Sequence, residues 1–217
     1  YLETPFGGAG ILLGGIPGVK RGKVVILGGG VVGFNAAKIA QGIGAYTTIL
    51  DISQERLSYI DDVFGSSVQT LFSNDANIES EIVDADVVIG SVYVHGASAP
   101  KLIRKHHLSS MKKGAVLVDV AIDQGGCFET SKATTHDKPI YNVDGIVHYC
   151  VANMPGVVPQ TSTVALNNQT LRYGLEIASG VSVDKYSEPL KLGVNVMDGE
   201  LTCEGVANSH GLPFRSI

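Results

Sequence analysis

Along its first two thirds the chain alternates short apolar runs with stretches whose apolar residues recur every three or four positions. Apolar runs of this kind are typical of buried strands, and the second pattern is typical of helices that bury one face. Strands are predicted at 23–27, in a run ending at Asp51, and at 68–72, 85–91 and 115–122. Helices are predicted at 34–42, 54–64, 78–83 and 101–109.

This alternation predicts an α/β fold, a doubly wound parallel sheet of the Rossmann type with helices on both faces. In such sheets ligands bind beyond the carboxyl ends of the strands. The segments expected at that edge are 28–33, 51–52, 90–92 and 122–124.

The pattern changes from Met154 onward. Two prolines, Pro155 and Pro159, interrupt it, and a long helix is predicted at 161–179. A small strand pair is expected at 195–201, then a last short helix capped by Thr202. The last ~60 residues do not look able to enclose a core by themselves.

Composition and charge exclude several classes of function. The 217 residues are 44% hydrophobic and carry a formal net charge of −5, which argues against a nucleic-acid partner. The apolar stretch 9–19 is too short and too interrupted to span a bilayer, and no signal segment opens the chain, so a cytoplasmic protein is expected. The three cysteines have no metal-ligand spacing and are expected to be reduced and packed.

A glycine-rich loop follows the first predicted strand, with Gly28, Gly30 and Gly33 in the spacing GxGxxG. Such a loop lets a diphosphate approach the N–H groups at the start of the next helix. Val31 and Val32, within the loop, are further candidate cofactor contacts. Asp51 lies near the ~20-residue spacing at which a carboxylate meets a ribose hydroxyl, and it would repel a 2′-phosphate. The motif therefore predicts binding of NAD rather than NADP. The alternative is that the glycines form a structural turn that binds no cofactor.

Two polar sites are candidates for chemistry. Asp123 and Gln124 stand at the mouth of a predicted strand, where they can hydrogen-bond a substrate amine or water; Asp123 is otherwise a cap for the following turn. Asn153 stands where the chain leaves the sheet, with a simple Asx turn as the alternative. His95, His136, His148 and His210 show no arrangement with an acid and a nucleophile that would mark a catalytic triad. His106 and His107 lie in a charged segment typical of a solvated face.

Several strings together resemble the alanine dehydrogenase family, which also includes the NAD domain of transhydrogenases. The strings are FGGAGILLGGIPG at 6–18, VILGGGVVG at 25–33, DVVIG at 86–90, APKL at 99–102, VDVAIDQGGCFE at 118–129 and CVANMPGVVPQTST at 150–163. They extend over essentially the whole chain. The two strings around Asp123 and Asn153 are far more specific than the glycine loop.

The resemblance implies NAD-dependent oxidative deamination of L-alanine to pyruvate and ammonium, and the reverse reaction, by hydride transfer. It implies that Asp51 holds the adenosine ribose, with Ile52 and Arg56 beside it. It further implies that Asp123 lies closest to the reacting amine or water and that Asn153 orients the substrate. The remaining cofactor contacts that it implies are Ser91, Val92, Ile122, Val151 and Met154.

The family pattern also divides the chain into a lead-in segment at 1–16, an NAD-binding domain at 17–154 and, at 155–217, the returning half of a split catalytic domain. Family members begin with a further amino-terminal part that supplies an Arg, a Lys and a His to the site. A missing segment or a companion chain is therefore an expected partner, and a homo-oligomer, a hexamer by analogy, is expected too. The rival interpretations are a transhydrogenase NAD domain, expected to continue toward membrane segments, and a non-catalytic NAD-binding module.

Overall fold

The computed structural model describes residues 1–94 and 98–216, and the chain forms two compact units. The first unit comprises 1–93 and 98–152, so the predicted lead-in segment belongs to it. The second contains 153–216. His95 lies outside the described residues. Within the described residues, no helix is both long and apolar enough to cross a lipid bilayer.

The first unit contains seven strands and three α-helices in the described residues. Its strands are β1 (Lys23–Leu27), β2 (Tyr46–Asp51), β3 (Val68–Phe72), β4 (Val87–Gly90), β5 (Val116–Asp119), β6 (Ile140–Val143) and β7 (Ile146–Tyr149). Its α-helices are α1 (Val31–Gly42), α2 (Gln54–Phe64) and α3 (Asp75–Ile82). Its 3-10 helices are Thr4–Phe6, Gly65–Ser67, Lys105–Ser109 and Ile122–Gln124.

The seven strands form one sheet in the order β3-β2-β1-β4-β5-β7-β6. All neighbouring pairs are parallel except β6 and β7. The chain first builds outward from β1 through β2 to β3, and then returns to place β4 on the other side of β1. This reversal opens a crevice beyond the carboxyl ends of β1 and β4, where a doubly wound sheet binds its ligand. The predicted fold class is confirmed.

The core lies on both faces of this sheet because successive strand residues point to opposite sides. In β1, Val25 and Leu27 pack into one apolar cluster, while Val24 and Ile26 pack into the other. Both faces of the central strands are therefore apolar, which explains why they are continuous hydrophobic runs in the sequence.

Local signals set several element boundaries. Ser53 caps α2 by accepting a hydrogen bond from the Arg56 N–H at 3.2 Å, and Asn74 caps α3 through the Asn77 N–H at 2.8 Å. The helix predicted at 34–42 begins three residues earlier, at Val31, directly after the glycine loop. The helix predicted at 78–83 likewise begins early, at Asp75, because Asn74 provides the cap.

The helix predicted at 101–109 is wrong for its first half. Only Lys105–Ser109 is helical, and it is a 3-10 helix. The residues before it run alongside the chain at 127–129: the Leu102 N–H donates to the Cys127 carbonyl at 2.8 Å, and the Glu129 N–H donates to the Ile103 carbonyl at 2.8 Å. This pairing between distant segments outweighs local helix preference. The strand predicted at 115–122 is also shorter, Val116–Asp119.

The hairpin of β6 and β7 was not predicted. Its turn is Asp144-Gly145, with φ values of +51° and +80°. An Asp-Gly pair between two apolar runs is a strong hairpin signal, because both residues tolerate positive φ. The sequence thus contained the signal for this edge of the sheet.

The second unit is helical with one small strand pair; most of its described residues are exposed, and Ala207 alone among them is buried. Its elements are the 3-10 helices Met154–Val157 and Val183–Lys185, the helices α4 (Pro159–Ala178), α5 (Glu188–Lys191) and α6 (Glu204–His210), and the strands β8 (Val196–Met197) and β9 (Glu200–Leu201). The predicted cap is wrong: Cys203 occupies the N-cap position of α6, and the Thr202 hydroxyl instead donates to the Val194 carbonyl at 2.6 Å.

Candidate functional site

The glycine loop runs from the end of β1 to the start of α1 at the crevice. Gly28 has φ +100°, a conformation that side chains other than glycine rarely adopt, and its N–H donates to the Leu50 carbonyl at 2.8 Å. A Cβ at Gly28 would lie 2.9 Å from the Ser91 carbonyl oxygen. The loop therefore turns sharply while remaining in contact with both neighbouring strands.

Gly33 lets the first turn of α1 lie against this loop. A Cβ there would lie 1.8 Å from the Gly28 carbonyl oxygen and 2.8 Å from the Ser91 hydroxyl. That hydroxyl lies 3.0 Å from the Leu27 carbonyl and 2.9 Å from the Gly28 carbonyl, both of which accept from it. Ser91 thus fixes the glycine loop from the neighbouring strand end.

Gly30 occupies the N-cap position of α1 and has an ordinary φ of −61°. A Cβ built at Gly30 would meet no atom within 4 Å, and no side chain caps the helix. Val31 and Val32 follow as exposed residues of the first turn. The helix start is thus open, with N–H groups and a macrodipole that favour an anion.

Asp51 ends β2 beside the glycine loop. One carboxylate oxygen accepts from the Gly29 N–H at 2.6 Å, and the other accepts from the Ser53 N–H at 2.8 Å. These two bonds hold the carboxylate at the mouth of the crevice. A carboxylate oxygen has lone pairs beyond those used here, so Asp51 can also accept from a hydroxyl of a bound ligand.

Arg56 reaches the same loop from α2. Its Nε donates to the Gly29 carbonyl, and its guanidinium lies 5.3 Å from the Phe34 ring centroid and 4.8 Å from that of Tyr59. These cation–π contacts hold the side chain over α1 and α2. Ile52, the other residue expected here, is 74% exposed.

A small apolar groove lies at the carboxyl ends of the neighbouring strands β4 and β5. Its volume is about 170 Å³, comparable with the ~150 Å³ that accommodates a benzene ring in a protein cavity. Asp123 is exposed at this groove, in the 3-10 helix Ile122–Gln124. The lining residues are Val32, Ser91, Val92, Tyr93, Val120, Ala121, Asp123 and Gln124.

Asp119, which the sequence reasoning passed over, holds the segment that carries Asp123. It is fully buried at the end of β5 and accepts from the N–H groups of Ala121 at 3.1 Å, Cys127 at 2.8 Å and Phe128 at 3.3 Å, and from the Ser131 hydroxyl. No local signal in the sequence marks this role, because Asp119 stands inside the apolar run 115–122.

The structure brings some predicted contacts together and leaves others apart. Ser91, Val92 and Asp123 share the groove. Ile122 and Val151 are both buried, and neither lines the groove. Asn153 and Met154 belong to the second unit, where Asn153 has φ +55° and precedes the 3-10 helix Met154–Val157.

The side chains of Glu79, His106 and His107 form the one cluster with metal-ligand character among the described residues. His107 is buried rather than solvated, and its Nδ1 accepts from the Arg104 N–H at 3.1 Å. The proton of the neutral ring therefore lies on Nε2, which is 3.4 Å from the Glu79 carboxylate. This geometry favours a hydrogen bond to Glu79 over metal ligation.

All three cysteines are free, as predicted. Burial raises the pKa of the Cys127 thiol to about 11 despite the opposing effect of the Val92 carbonyl. Cys127 is therefore a protonated, packed thiol at neutral pH and not a nucleophile.

Comparison with known proteins decides the family. The model of the alanine dehydrogenase/PNT C-terminal domain matches residues 1–204. The chain belongs to this family. Alanine dehydrogenase 2 of Staphylococcus aureus (strain USA300) is 51% identical over 220 residues, which cover all of this chain and 59% of that protein. The chain thus spans about three fifths of the length of the curated relatives it matches.

Solved structures agree with the membership in the alanine dehydrogenase/PNT family. An L-alanine dehydrogenase superposes with a TM-score of 0.88 at 50% identity, covering 97% of this chain and 58% of that one. A transhydrogenase from Sinorhizobium meliloti gives a TM-score of 0.58 at 26% identity, covering 64% of this chain and 40% of that one. The first superposition extends to nearly the whole chain.

Membership in the alanine dehydrogenase/PNT family implies a nicotinamide dinucleotide cofactor, and the residues of the crevice fit one. Gly30 has no side chain, and no atom lies within 4 Å of where its Cβ would be. A diphosphate can therefore reach the uncapped start of α1. Asp51 ends β2, and an acidic residue at about this spacing from the glycine loop fits the ribose hydroxyls in such folds. The apolar groove beside Asp123 is large enough for a single flat ring.

Proposed function

We propose that this chain is the NAD-binding part of an alanine dehydrogenase, which converts L-alanine, NAD⁺ and water to pyruvate, ammonium, NADH and a proton. The observation that carries the proposal is the common groove of Ser91, Val92 and Asp123 next to the glycine loop. A carboxylate thus lies at the ring-sized end of a dinucleotide crevice. Relatives named alanine dehydrogenase support the substrate.

The choice of NAD rests on Asp51. Its carboxylate is already oriented by the N–H groups of Gly29 and Ser53, so it can accept from ribose hydroxyls without rearrangement. A 2′-phosphate at the same position would face this negative charge. Gly30 and the start of α1 bind the diphosphate in this proposal, and Arg56 supports the loop from the other side.

A bound nicotinamide would supply the acceptor for the hydride that leaves the α-carbon of alanine. In this proposal the protein itself transfers protons and orients the substrate. Asp123, exposed at the groove, accepts a proton from the substrate amine or from the water that attacks the resulting imine, and it returns that proton in the reverse reaction. Asn153 orients the substrate by its amide, as the family resemblance implies.

The proposal includes partners. Groups that neutralise the substrate carboxylate are supplied by a further segment or a companion chain, and the assembled enzyme is a homo-oligomer, a hexamer by family analogy. Several large apolar side chains of α4 are exposed, including Leu171, Leu175 and Ile177, as a surface that packs against such a segment would be.

The test is a direct NADH-binding titration of the purified chain, run beside NADH oxidation in the presence of pyruvate and ammonium. Saturable binding with turnover that requires both pyruvate and ammonium supports the whole proposal. Binding without turnover restricts the chain to the cofactor-binding part, which a complementing segment should then activate. Absence of NADH binding overturns the proposal.

The likeness to the Sinorhizobium meliloti transhydrogenase favours a second candidate, an NAD domain that passes hydride to another dinucleotide. The same assay separates the two. Hydride transfer to a thio-substituted or acetylpyridine NADP analogue, with no dependence on pyruvate and ammonium, would favour the transhydrogenase function.

A further inference from the structure

The loop 121–128 carries Asp123 into the groove and is anchored on its inner side by Asp119. One oxygen of this buried carboxylate accepts from the Ala121 N–H at the start of the loop, at 3.1 Å. The other accepts from the N–H groups of Cys127 and Phe128 at its end. Asp119 therefore fixes both ends of the loop, and Asp123 lies between them.

The middle of the loop is Gly125-Gly126, with φ values of +86° and +81°. Glycine offers no side chain to pack and has the largest conformational freedom of any residue. A Cβ at Gly126 would lie 2.5 Å from an Asp119 carboxylate oxygen, which explains why a glycine stands there. Gly125 and Gly126 are held within the loop by their own N–H groups, which donate to the Ile122 and Ala121 carbonyls at 2.9 and 3.0 Å, whereas the Asp119 carboxylate accepts from neither.

Lys101 supplies a second anchor from the outside. Its Nζ donates to the Gly126 carbonyl at 2.9 Å and also to the Gly125 carbonyl. The backbone next to it is paired with the same loop, since the Leu102 N–H donates to the Cys127 carbonyl at 2.8 Å. The ammonium therefore bridges two consecutive carbonyls only two and three residues after Asp123.

We propose that Lys101 is a positioning residue: it holds the Gly125-Gly126 turn closed, and this keeps the Asp123 carboxylate in the groove. The inference rests on the proposed function, in which Asp123 moves a proton. Without the ammonium the turn opens locally, while the sheet and the inner anchor at Asp119 remain.

Cys127 reports on this opening without any turnover. Its side chain is fully buried at the end of the loop, so alkylation requires the loop to open. The positive charge of Lys101 lowers the pKa of this thiol, against the larger opposing effect of burial. Loss of the Lys101 charge alone would therefore slow alkylation of Cys127. Loss of the Lys101 hydrogen bonds to the loop would speed it, so the two effects can be told apart.

The experiment measures iodoacetamide modification of each cysteine in the full chain by peptide mass spectrometry, for wild type, Lys101→Met and Lys105→Met. Lys105 is the matched control: it is an exposed lysine of the same segment whose ammonium makes no hydrogen bond within 1–94 and 98–216. Cys150, also fully buried, reports global unfolding, and Cys203, partly exposed, reports reagent reactivity.

We expect Lys101→Met to speed Cys127 modification by about tenfold, the factor for one hydrogen bond to a charged group, with Cys150 and Cys203 unchanged. Lys105→Met should behave as wild type. An unchanged or slower Cys127 rate overturns the proposal, and so does a parallel acceleration of Cys150, which would make Lys101 a residue of global stability.

Kinetics complete the test. Lys101→Met should lower kcat by about tenfold while the NADH Kd stays within about twofold of wild type, and Lys101→Arg, which keeps a charged donor, should recover part of kcat. Full kcat in Lys101→Met overturns the positioning role even if the loop opens. A wild-type chain that does not bind NADH refutes the proposed function instead, and the labelling rates still decide whether Lys101 closes the loop.

Discussion

The Asp51 carboxylate accepts a hydrogen bond from the Gly29 N–H at 2.6 Å, which joins the end of β2 to the loop that follows β1. Asp51, the residue expected to bind the ribose, therefore also stabilises the glycine loop. Arg56 donates to the Gly29 carbonyl, so the N–H and the carbonyl of Gly29 are both hydrogen-bonded. The proposed choice of NAD over NADP by Asp51 is thus tied to the geometry of the loop at Gly29.

Asp51→Ala should weaken NADH binding by about tenfold or more, because a hydrogen bond to a charged group is lost. NADPH binding should be affected less, since the substitution also removes the charge that faces a 2′-phosphate. Titrations of both cofactors measure the ratio of their Kd values. Equal losses for NADH and NADPH would contradict the ribose assignment.

Gly30→Ala and Gly33→Ala separate cofactor contact from folding. At Gly30 a methyl group meets no atom within 4 Å, so the free energy of unfolding should stay within about 0.5 kcal/mol of wild type while NADH binding drops by about tenfold or more. At Gly33 the methyl group would lie 1.8 Å from a backbone oxygen, and about 2 kcal/mol or more of stability should be lost.

Urea unfolding and NADH titration of both variants check this pair of expectations. Gly42→Ala is a suitable control, since a Cβ there also meets nothing within 4 Å and lies at the far end of α1. Tight NADH binding by Gly30→Ala would show that no diphosphate lies at the helix start.

Asp123→Asn should leave the NADH Kd within about twofold of wild type and suppress turnover by about a hundredfold or more, because an amide cannot accept the proton. Asp123 is exposed, so its replacement should leave the unfolding curve unchanged. NADH oxidation with pyruvate and ammonium provides the measurement. A fully active variant would exclude Asp123 from the mechanism.

His148 should make stability depend on pH. It is fully buried, with Nδ1 3.0 Å from the Ile146 carbonyl and Nε2 2.7 Å from the Thr130 hydroxyl, and burial lowers its pKa from the ordinary 6.5. Below pH 6.5 the unfolded chain binds a proton that the folded chain does not. Stability should therefore fall as pH drops through 6.5, by at most about 1.4 kcal/mol per pH unit from this residue.

Urea unfolding between pH 7.5 and pH 5.5, for wild type and His148→Gln, isolates this contribution. The variant should lose part of the pH dependence whatever its absolute stability. The same slope in both proteins would mean that His148 does not carry the effect.

Much of the site was predictable because its signals are local. The strand, the glycine spacing and Asp51 lie within 30 residues of sequence, and each has a fixed conformational requirement, such as the positive φ of Gly28. The caps at Ser53 and Asn74 are of the same kind. The hairpin at Asp144-Gly145 had a local signal too and was simply not used.

Other features had no local signal. Lys101–Arg104 was predicted as helix, yet it pairs with residues 127–129, which lie more than twenty positions away. Asp119 appeared as one more residue of an apolar run, and its role comes from N–H groups up to nine residues further along. Such contacts depend on where the folded backbone brings distant donors together.

The sequence by itself determined the α/β sheet, the dinucleotide loop and the identity of the polar residues at the strand ends, since these follow from hydrophobic periodicity and from the steric needs of glycine. Only the tertiary structure decided that Ser91 and Asp123 share one groove, that Asp51 holds Gly29, and that Lys101 and Asp119 grip one loop from two sides. The physical reason is that periodicity encodes which residues are buried, whereas hydrogen-bond partners are set by the order and register of the strands.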